Sequence, residues 1–194
     1  MTEGAPTCNN PFFGNRKNYS VGLPVACTDF RIVDLETGSK ELSTGERGEI
    51  IVKGPHIASG YINNLKATRD TFRNGWLHTG DIGYIDEDGF VFVVDRLKEM
   101  VIVSGFNVFP REIEEILMSY PQVKETAVIG ITDSYRGQAL KAFVVFVQGK
   151  SATEKELKEY CSHYLVEYKI PSIFKFIKQL PKTPVGKIDK KNLT

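Results

Sequence analysis

Short β-rich runs separated by turn residues fill residues 29–95, and this alternation restricts the region to a small sheet. The predicted strands are residues 30–33, 49–52, 81–85 and 90–94. The last two flank Asp86-Glu87-Asp88-Gly89, whose closing glycine is typical of a tight hairpin. Residues 63–72 are a short polar helix candidate. This half is therefore predicted to be a small β-barrel or curled sheet.

The second half interleaves strands with two amphipathic helices. Pro110 suits the first position of a helix, where its missing N–H is harmless. Behind it, the apolar residues Ile113, Ile116, Leu117 and Tyr120 share one helix face. Thr153 and Glu156 predict a capping box for the second helix. Strands are predicted at residues 100–103, 125–129, 141–147 and 173–177.

The predicted fold class is therefore α+β. A β-rich, barrel-like subdomain is expected over residues 1–95, followed by a compact α+β lobe over residues 96–194. The boundary is placed at the turn formed by Asp95-Arg96-Leu97-Lys98.

Charge and cysteine content exclude several classes of function. Twenty-five basic residues against twenty-four acidic ones give a net charge of +1, too little excess for a general nucleic-acid binder. The odd and scattered Cys8, Cys27 and Cys161 predict neither a zinc site nor a disulfide framework, which favours a cytoplasmic setting. No apolar run is long enough to span a bilayer.

Generic catalytic motifs are absent from the sequence. Gly149-Lys150-Ser151 matches the end of a phosphate loop, but Val144 stands where the loop requires its first glycine. The histidines are not at metal-ligand spacings. The function therefore has to be read from longer segments.

Four segments together carry the functional prediction: Gly48-Glu49-Ile50 with Ser59-Gly60-Tyr61; Gly75-Trp76-Leu77-His78-Thr79-Gly80-Asp81; Asp95-Arg96-Leu97-Lys98 with Val103-Ser104-Gly105-Phe106 and Glu112-Ile113-Glu114; and Pro181-Lys182-Thr183-Pro184-Val185-Gly186-Lys187. In order and spacing they resemble the adenylate-forming superfamily, which includes acyl-CoA synthetases, luciferases and peptide-synthetase adenylation domains. The resemblance covers nearly the whole chain. Met1-Thr2-Glu3-Gly4 also resembles the end of a family segment that follows the phosphate loop.

The resemblance implies a nucleotide site. Asp81 matches the aspartate that accepts hydrogen bonds from both ribose hydroxyls of ATP, a task for which a carboxylate offers two oxygens. The alternative is an ordinary turn aspartate after glycine. Arg96 matches an arginine near the ribose and phosphates. Thr2 and Glu3 match residues that hold phosphate oxygens and Mg²⁺.

The resemblance also implies a moving C-terminal lobe. Lys98 matches the hinge about which that lobe rotates. Gly105, between Ser104 and Phe106, matches the glycine beside the tunnel for the pantetheine arm of CoA, although a plain turn glycine is the alternative. Lys187 matches the lysine that holds the acyl carboxylate and the α-phosphate during adenylation.

The implied parent is an ATP-dependent fatty-acid–CoA ligase, most like the bacterial long-chain type. Its substrates are ATP, a fatty acid and CoA, and its remaining partner is an N-terminal domain that carries the phosphate loop and acyl pocket. Peripheral membrane association of that parent is compatible with the sequence. The alternatives are an aryl-CoA ligase, a luciferase-like enzyme or a peptide-synthetase adenylation domain, or, for these 194 residues alone, a non-catalytic module.

Overall fold

A computed structural model describes residues 2–193, so Met1 and Thr194 lie outside the described part of the chain. The chain divides into two compact units, the first ending at Lys98 and the second beginning at Glu99. Both units combine sheet with helix, which confirms the predicted α+β class. The assignment of residues 1–95 and 96–194 to domains of a longer enzyme stays a prediction.

The first unit contains seven strands and one helix among its described residues: β1 (Cys8–Asn9), β2 (Leu23–Pro24), β3 (Asp29–Val33), β4 (Gly48–Lys53), α1 (Leu65–Thr71), β5 (Phe72–Arg73), β6 (Trp76–Ile85) and β7 (Val91–Arg96). Strands β3 to β7 form one antiparallel sheet in which β6 pairs with β4 along one edge. The other edge of β6 is shared by the shorter strands β5 and β7. The ladders make this an open sheet in the part of the chain that the structure describes.

The predicted hairpin between β6 and β7 is confirmed. The backbone N–H of Asp86 donates to the carbonyl of Phe90 at 3.0 Å, and the Asp86 carboxylate accepts from the N–H groups of Asp88 and Phe90. Gly89 has φ +82°, the left-handed conformation that such a turn requires. The turn sets the register of the β6–β7 ladder as far as a bulge between Ile82 and Gly83, beyond which Arg96 lies opposite Asp81.

Strand β6 starts five residues before the predicted strand at residue 81. The strand includes Gly80, and the ladder with β4 resumes at His78 after a bulge between Glu49 and Ile51. Asp81 therefore lies inside a strand rather than in a turn.

The second unit contains five strands and two α-helices within its described residues: β8 (Val101–Val103), β9 (Phe106–Val108), α2 (Pro110–Met118), β10 (Val123–Asp133), β11 (Gly137–Phe146), α3 (Glu154–Ser162) and β12 (Ile173–Phe176). Strand β11 pairs with β10 along its whole length, and β12 and β8 share its other edge. Strand β12 runs parallel to β11, which the apolar pattern alone did not indicate.

The two faces of this sheet are buried by different parts of the chain. One face packs against the helices, with Val144 in contact with the same cluster as Leu117 and Leu157. On the opposite face Phe143 packs with Leu180 and Leu193 of the C-terminal tail. The period-two alternation of β11 explains this division, since neighbouring residues point to opposite faces. The capping box of Thr153 and Glu156 is confirmed at the start of α3.

No helix within residues 2–193 is both long and apolar enough to cross a bilayer.

Candidate functional site

A surface pocket of about 350 Å³ lies in the first unit, at the edge of the sheet where β6 meets β5 and β7. Predicted site residues Glu3 and Arg96 line it, together with the Thr79-Gly80 segment that precedes Asp81. The pocket therefore brings together the start of the chain and the end of β7, which are more than ninety positions apart in sequence.

Asp81 and Arg96 are directly paired across β6 and β7. The Arg96 Nε lies 2.9 Å from the Asp81 Oδ1, and the two residues are register partners in the ladder. The Asp81 side chain is 28% exposed and the Arg96 side chain is 51% exposed, so both remain reachable from solvent. Burial raises the pKa of Asp81, and the neighbouring Arg96 opposes that rise. The site therefore presents a carboxylate, which can accept hydrogen bonds from ribose hydroxyls, beside a guanidinium group, which can donate to phosphate oxygens.

Thr79 holds the backbone immediately before Asp81. Its hydroxyl donates to the carbonyl of Ile50 at 2.7 Å and accepts from the Asp81 N–H at 3.0 Å. Gly80 has φ +67°, and a Cβ added there would meet no atom within 4 Å. The positive φ, rather than crowding, is what favours glycine at this position.

Glu3 is anchored although it lies near the start of the chain. The Tyr61 hydroxyl donates to the Glu3 Oε1 at 2.8 Å, and the Ala58 N–H donates to the Glu3 carbonyl at 2.7 Å. Thr2 is exposed, and its hydroxyl donates to the Glu3 Oε2 at 3.3 Å. Glu3 is thus held in place by bonds to residues more than fifty positions away in sequence.

In the second unit, Lys187 lies on an exposed loop of the C-terminal tail. The Thr183 N–H donates to the Lys187 carbonyl at 2.7 Å, and the Lys187 N–H donates to the Thr183 hydroxyl at 3.2 Å. Gly186, with φ +82°, closes the turn. Within residues 2–193 the Lys187 ammonium has no hydrogen-bond or ion-pair partner, so the loop is ordered while its cation stays available.

Two other tail lysines are instead engaged in ion pairs. Lys182 contacts Glu125 at 2.9 Å. Lys190 contacts Glu114 at 2.8 Å and Glu99 at 2.9 Å. Burial disfavours the Lys190 charge, but the two carboxylates outweigh that effect and raise its pKa. These pairs anchor the tail on both sides of the loop that carries Lys187.

The Ser104-Gly105 dipeptide forms the two-residue turn between β8 and β9. Ser104 has φ +51° and Gly105 has φ +84°, which is the pattern of a type I′ hairpin. A Cβ at Gly105 would meet no atom within 4 Å. Phe106 is exposed and stacks on Tyr168 with ring centroids 4.5 Å apart. The turn geometry accounts for the glycine by itself, so the CoA role of this segment stays a prediction.

Lys98 is exposed and lies in a short 3₁₀ turn, Leu97–Glu99. It is the last residue of the first unit. Its role as a hinge stays a prediction.

Comparison with known proteins assigns the chain to a family. Residues 1–62 match the family model for the AMP-binding enzyme, and residues 112–187 match the model for the AMP-binding enzyme C-terminal domain. The chain belongs to the AMP-binding enzyme family. The predicted resemblance to the adenylate-forming superfamily is thereby confirmed.

Individual relatives within the AMP-binding enzyme family differ in their acyl groups. The chain is 44% identical over its whole length to a long-chain-fatty-acid–CoA ligase of Bacillus subtilis, of which it covers 34%. It is 45% identical over 90% of its length to a 2-succinylbenzoate–CoA ligase of Bacillus cereus, of which it covers 35%. The chain thus spans about a third of the length of these relatives.

A solved member of the AMP-binding enzyme family has a similar structure. The ATP-bound structure of MatB from Rhodopseudomonas palustris matches 98% of this chain and 38% of its own, with a TM-score of 0.92 and 38% identity. The chain is therefore similar in fold, as well as in sequence, to an enzyme whose structure contains ATP.

The Glu3 carboxylate is chemically suited to the Mg²⁺ that the sequence resemblance predicts at this position. Its Oε2 accepts from the hydroxyl of the adjacent Thr2, and the Tyr61 hydroxyl bond is the main reason that the pKa of Glu3 lies below its usual value. Within residues 2–193 no cluster of three metal-ligating side chains is present. A single carboxylate fits Mg²⁺, which commonly binds through one or two carboxylates plus substrate phosphates.

Replacing Tyr61 with Phe is expected to raise the pKa of Glu3 towards its ordinary value, since the largest stabilising bond to the carboxylate is lost. A lowered folded-state pKa contributes stability above the unfolded value of about 4.3, and this contribution disappears as the pH falls through the folded value. Carbon-detected NMR titration of the Glu3 carboxyl would measure the shift. Tyr135→Phe, at a fully exposed tyrosine, is the control, and an unmoved Glu3 titration in Tyr61→Phe would contradict the assignment.

Three further residues that line this pocket, the buried Glu49 and His78 and the partly exposed Arg73, have no functional assignment from the sequence. Glu49, Arg73 and His78 contact one another, yet Arg73 and His78 lie 24 and 29 positions from Glu49. The sequence did contain one indication that Glu49 is unusual. It is a charged residue inside the apolar run of β4, a strand that is buried over five successive positions.

Proposed function

We propose that this chain supplies the C-terminal part of an ATP-dependent fatty-acid–CoA ligase that activates its substrate as an acyl-adenylate. One observation carries the proposal. Asp81 and Arg96 stand 2.9 Å apart beside the pocket that Glu3 lines, so the three groups assigned to ribose, phosphate and Mg²⁺ occur together in one unit. Family membership supports the assignment of ATP as the nucleotide.

The proposed reaction has two steps. A fatty-acid carboxylate oxygen attacks the α-phosphorus of ATP, forming the mixed anhydride while pyrophosphate leaves. The CoA thiolate then attacks the acyl carbonyl carbon, forming the thioester while AMP leaves. Bound Mg²⁺ would neutralise charge on the phosphates, and Glu3 is the residue that would hold it.

The chain's own residues divide between these steps. Asp81 orients the nucleotide by accepting from both ribose hydroxyls, and Arg96 donates to the neighbouring phosphate. Lys187 stabilises the negative charge that develops between the carboxylate and the α-phosphate. A rotation about Lys98 then withdraws Lys187 and brings the turn of Ser104, Gly105 and Phe106 to the site, where CoA enters.

A fatty acid is the favoured acyl group because the whole chain aligns with long-chain-fatty-acid–CoA ligases. The succinylbenzoate ligase aligns at similar identity, so this part of the enzyme discriminates weakly between acyl classes. We attribute acyl selectivity to the part of the enzyme that precedes this chain.

The test is acyl-CoA formation by the full-length enzyme with ATP and CoA, across saturated fatty acids of increasing length and 2-succinylbenzoate. Preference for long fatty acids over 2-succinylbenzoate supports the proposal. Preference for the aromatic acid would replace it with an aryl-CoA ligase, and failure to release AMP with any acid would remove the ligase assignment altogether.

We also propose that the 194 residues alone form no acyl-adenylate, because they span about a third of the relatives' length. The isolated chain should then release no pyrophosphate from ATP in the presence of fatty acids that the full-length enzyme activates. Release at a measurable rate would show that the chain contains a complete adenylation site.

A further inference from the structure

A buried carboxylate, that of Glu49, lines the same pocket as Glu3 and Arg96. Glu49 in β4 is only 4% exposed, although charged residues are rarely buried unless they are paired. It lies opposite Ile82 in the ladder with β6, one residue beyond Asp81. Its position in the sheet therefore places it next to the strand segment that carries Asp81.

The two oxygens of Glu49 have separate partners. Oε1 accepts from the Gly80 N–H at 3.1 Å. Oε2 lies 2.8 Å from the Nδ1 of His78 and 3.4 Å from the Nη2 of Arg73. The Arg73 Nη2 also lies 2.6 Å from the same His78 nitrogen, so the three side chains form one close group. One oxygen is thus anchored by two side chains while the other holds the backbone of Gly80.

The hydrogen bond between Gly80 and Glu49 lies at an irregular point of the β4–β6 ladder. Gly80 has φ +67°, and a bulge interrupts the β4–β6 ladder between Glu49 and Ile51. The regular ladder therefore does not by itself fix the backbone in front of Asp81. The Glu49 bond to Gly80 and the Thr79 hydroxyl bonds to Ile50 and Asp81 replace it.

We propose that Glu49, held by Arg73 and His78, is a positioning residue for the ribose-binding carboxylate. It fixes Gly80 so that the next residue, Asp81, faces the nucleotide with both of its oxygens. Thr79 secures the same segment from the side of Ile50. The inference rests on the proposed function, because it requires Asp81 to contact the ribose.

The experiment compares ATP with 2′-deoxyATP as substrates of the full-length enzyme, using fatty-acid-dependent pyrophosphate exchange. The measured quantity is the ratio of kcat/KM for the two nucleotides. Asp81→Ala serves as the reference, since loss of the ribose contact should bring this ratio close to one. Glu49→Ala should lower the ratio about tenfold, as expected for loss of a hydrogen bond to a charged group, and should raise the KM for ATP but not that for CoA.

Conservative variants separate positioning from general structural damage. Glu49→Gln keeps an oxygen that can accept from Gly80, so it should retain most of the wild-type ratio. Thr79→Val removes the hydroxyl at nearly constant volume and should lower the ratio, whereas Thr79→Ser should preserve it. Circular dichroism identifies any variant that fails to fold, and if Glu49→Ala fails, the Thr79 pair and Glu49→Gln carry the test.

The possible outcomes separate the ribose contact of Asp81 from the positioning role of Glu49. A wild-type ratio in Asp81→Ala would overturn the ribose contact and the proposed function with it. Suppose instead that the kcat/KM ratio falls close to one in Asp81→Ala but keeps its wild-type value in folded Glu49→Ala and Thr79→Val. That result would overturn the positioning role of Glu49 and leave the ribose contact of Asp81 in place. Equal loss of activity with both nucleotides at an unchanged ratio would likewise overturn the positioning role, since that is the behaviour of a purely structural residue.

Discussion

Lys187→Ala in the full-length enzyme is expected to slow acyl-adenylate formation by about 10²–10³-fold, the effect of removing one oriented donor from a developing negative charge. The structure leaves Lys187 available for this task, because its ammonium is unpaired within residues 2–193 while Lys182 and Lys190 are bound in ion pairs. Its place in the Pro-Lys-Thr-Pro-Val-Gly-Lys segment distinguishes it from Lys191, which is unpaired in the same range. Fatty-acid-dependent exchange of labelled pyrophosphate into ATP, without CoA, measures this step.

Lys191→Ala is the matched control. Lys191 lies four residues further along the same exposed tail, and within residues 2–193 its side chain makes no hydrogen bond or ion pair, while its backbone N–H donates to the Asp189 carboxylate. It should exchange pyrophosphate at close to the wild-type rate. Equal losses in Lys187→Ala and Lys191→Ala would indicate that the tail contributes only general positive charge.

Asp81→Ala is expected to weaken ATP binding to the full-length enzyme by about 10²-fold or more. Each hydrogen bond to a charged acceptor contributes about 1.5–3 kcal/mol, and a tenfold change in affinity corresponds to about 1.4 kcal/mol. The variant also leaves Arg96 without its partner 2.9 Å away. Calorimetric titration with Mg-ATP measures the affinity.

Two further variants make the Asp81 result specific. Asp81→Asn keeps one acceptor oxygen and should give an intermediate affinity. Asp29→Ala removes an exposed carboxylate from β3 of the same sheet and should bind ATP as the wild type does. A wild-type affinity of Asp81→Ala for Mg-ATP would contradict the proposed contact between Asp81 and the ribose.

The sequence was most informative where a local signal determines the structure. The acidic hairpin ending in Gly89 and the Thr153–Glu156 capping box both form as predicted, because each depends on residues within a few positions of one another. The same holds for the apolar stripe of α2, which buries Ile113 and Leu117.

Contacts between residues far apart in sequence could not be predicted from such local signals. The motifs nominated Asp81 and Arg96 separately, but their contact depends on the register of β6 and β7, which shifts by a bulge between Ile82 and Gly83. The hydrogen bond between Tyr61 and Glu3 joins residues 58 positions apart. Periodicity contains no information on such pairings.

The network around Glu49 illustrates the same limit. Nothing in the sequence distinguishes Arg73 and His78 from ordinary surface residues when each is read alone. The pairing of β6 with β4 on one edge and with β5 on the other brings the three side chains into contact. The burial of Glu49 and His78 is therefore a property of the fold rather than of any motif.

The central claim is that Lys187 acts in adenylation and is withdrawn before thiolysis. The most direct measurement supplies preformed acyl-adenylate and CoA to the full-length Lys187→Ala enzyme and follows acyl-CoA formation. The account predicts thiolysis at close to the wild-type rate in a variant whose adenylation is almost lost. A loss of thiolysis as large as the loss of adenylation would contradict it.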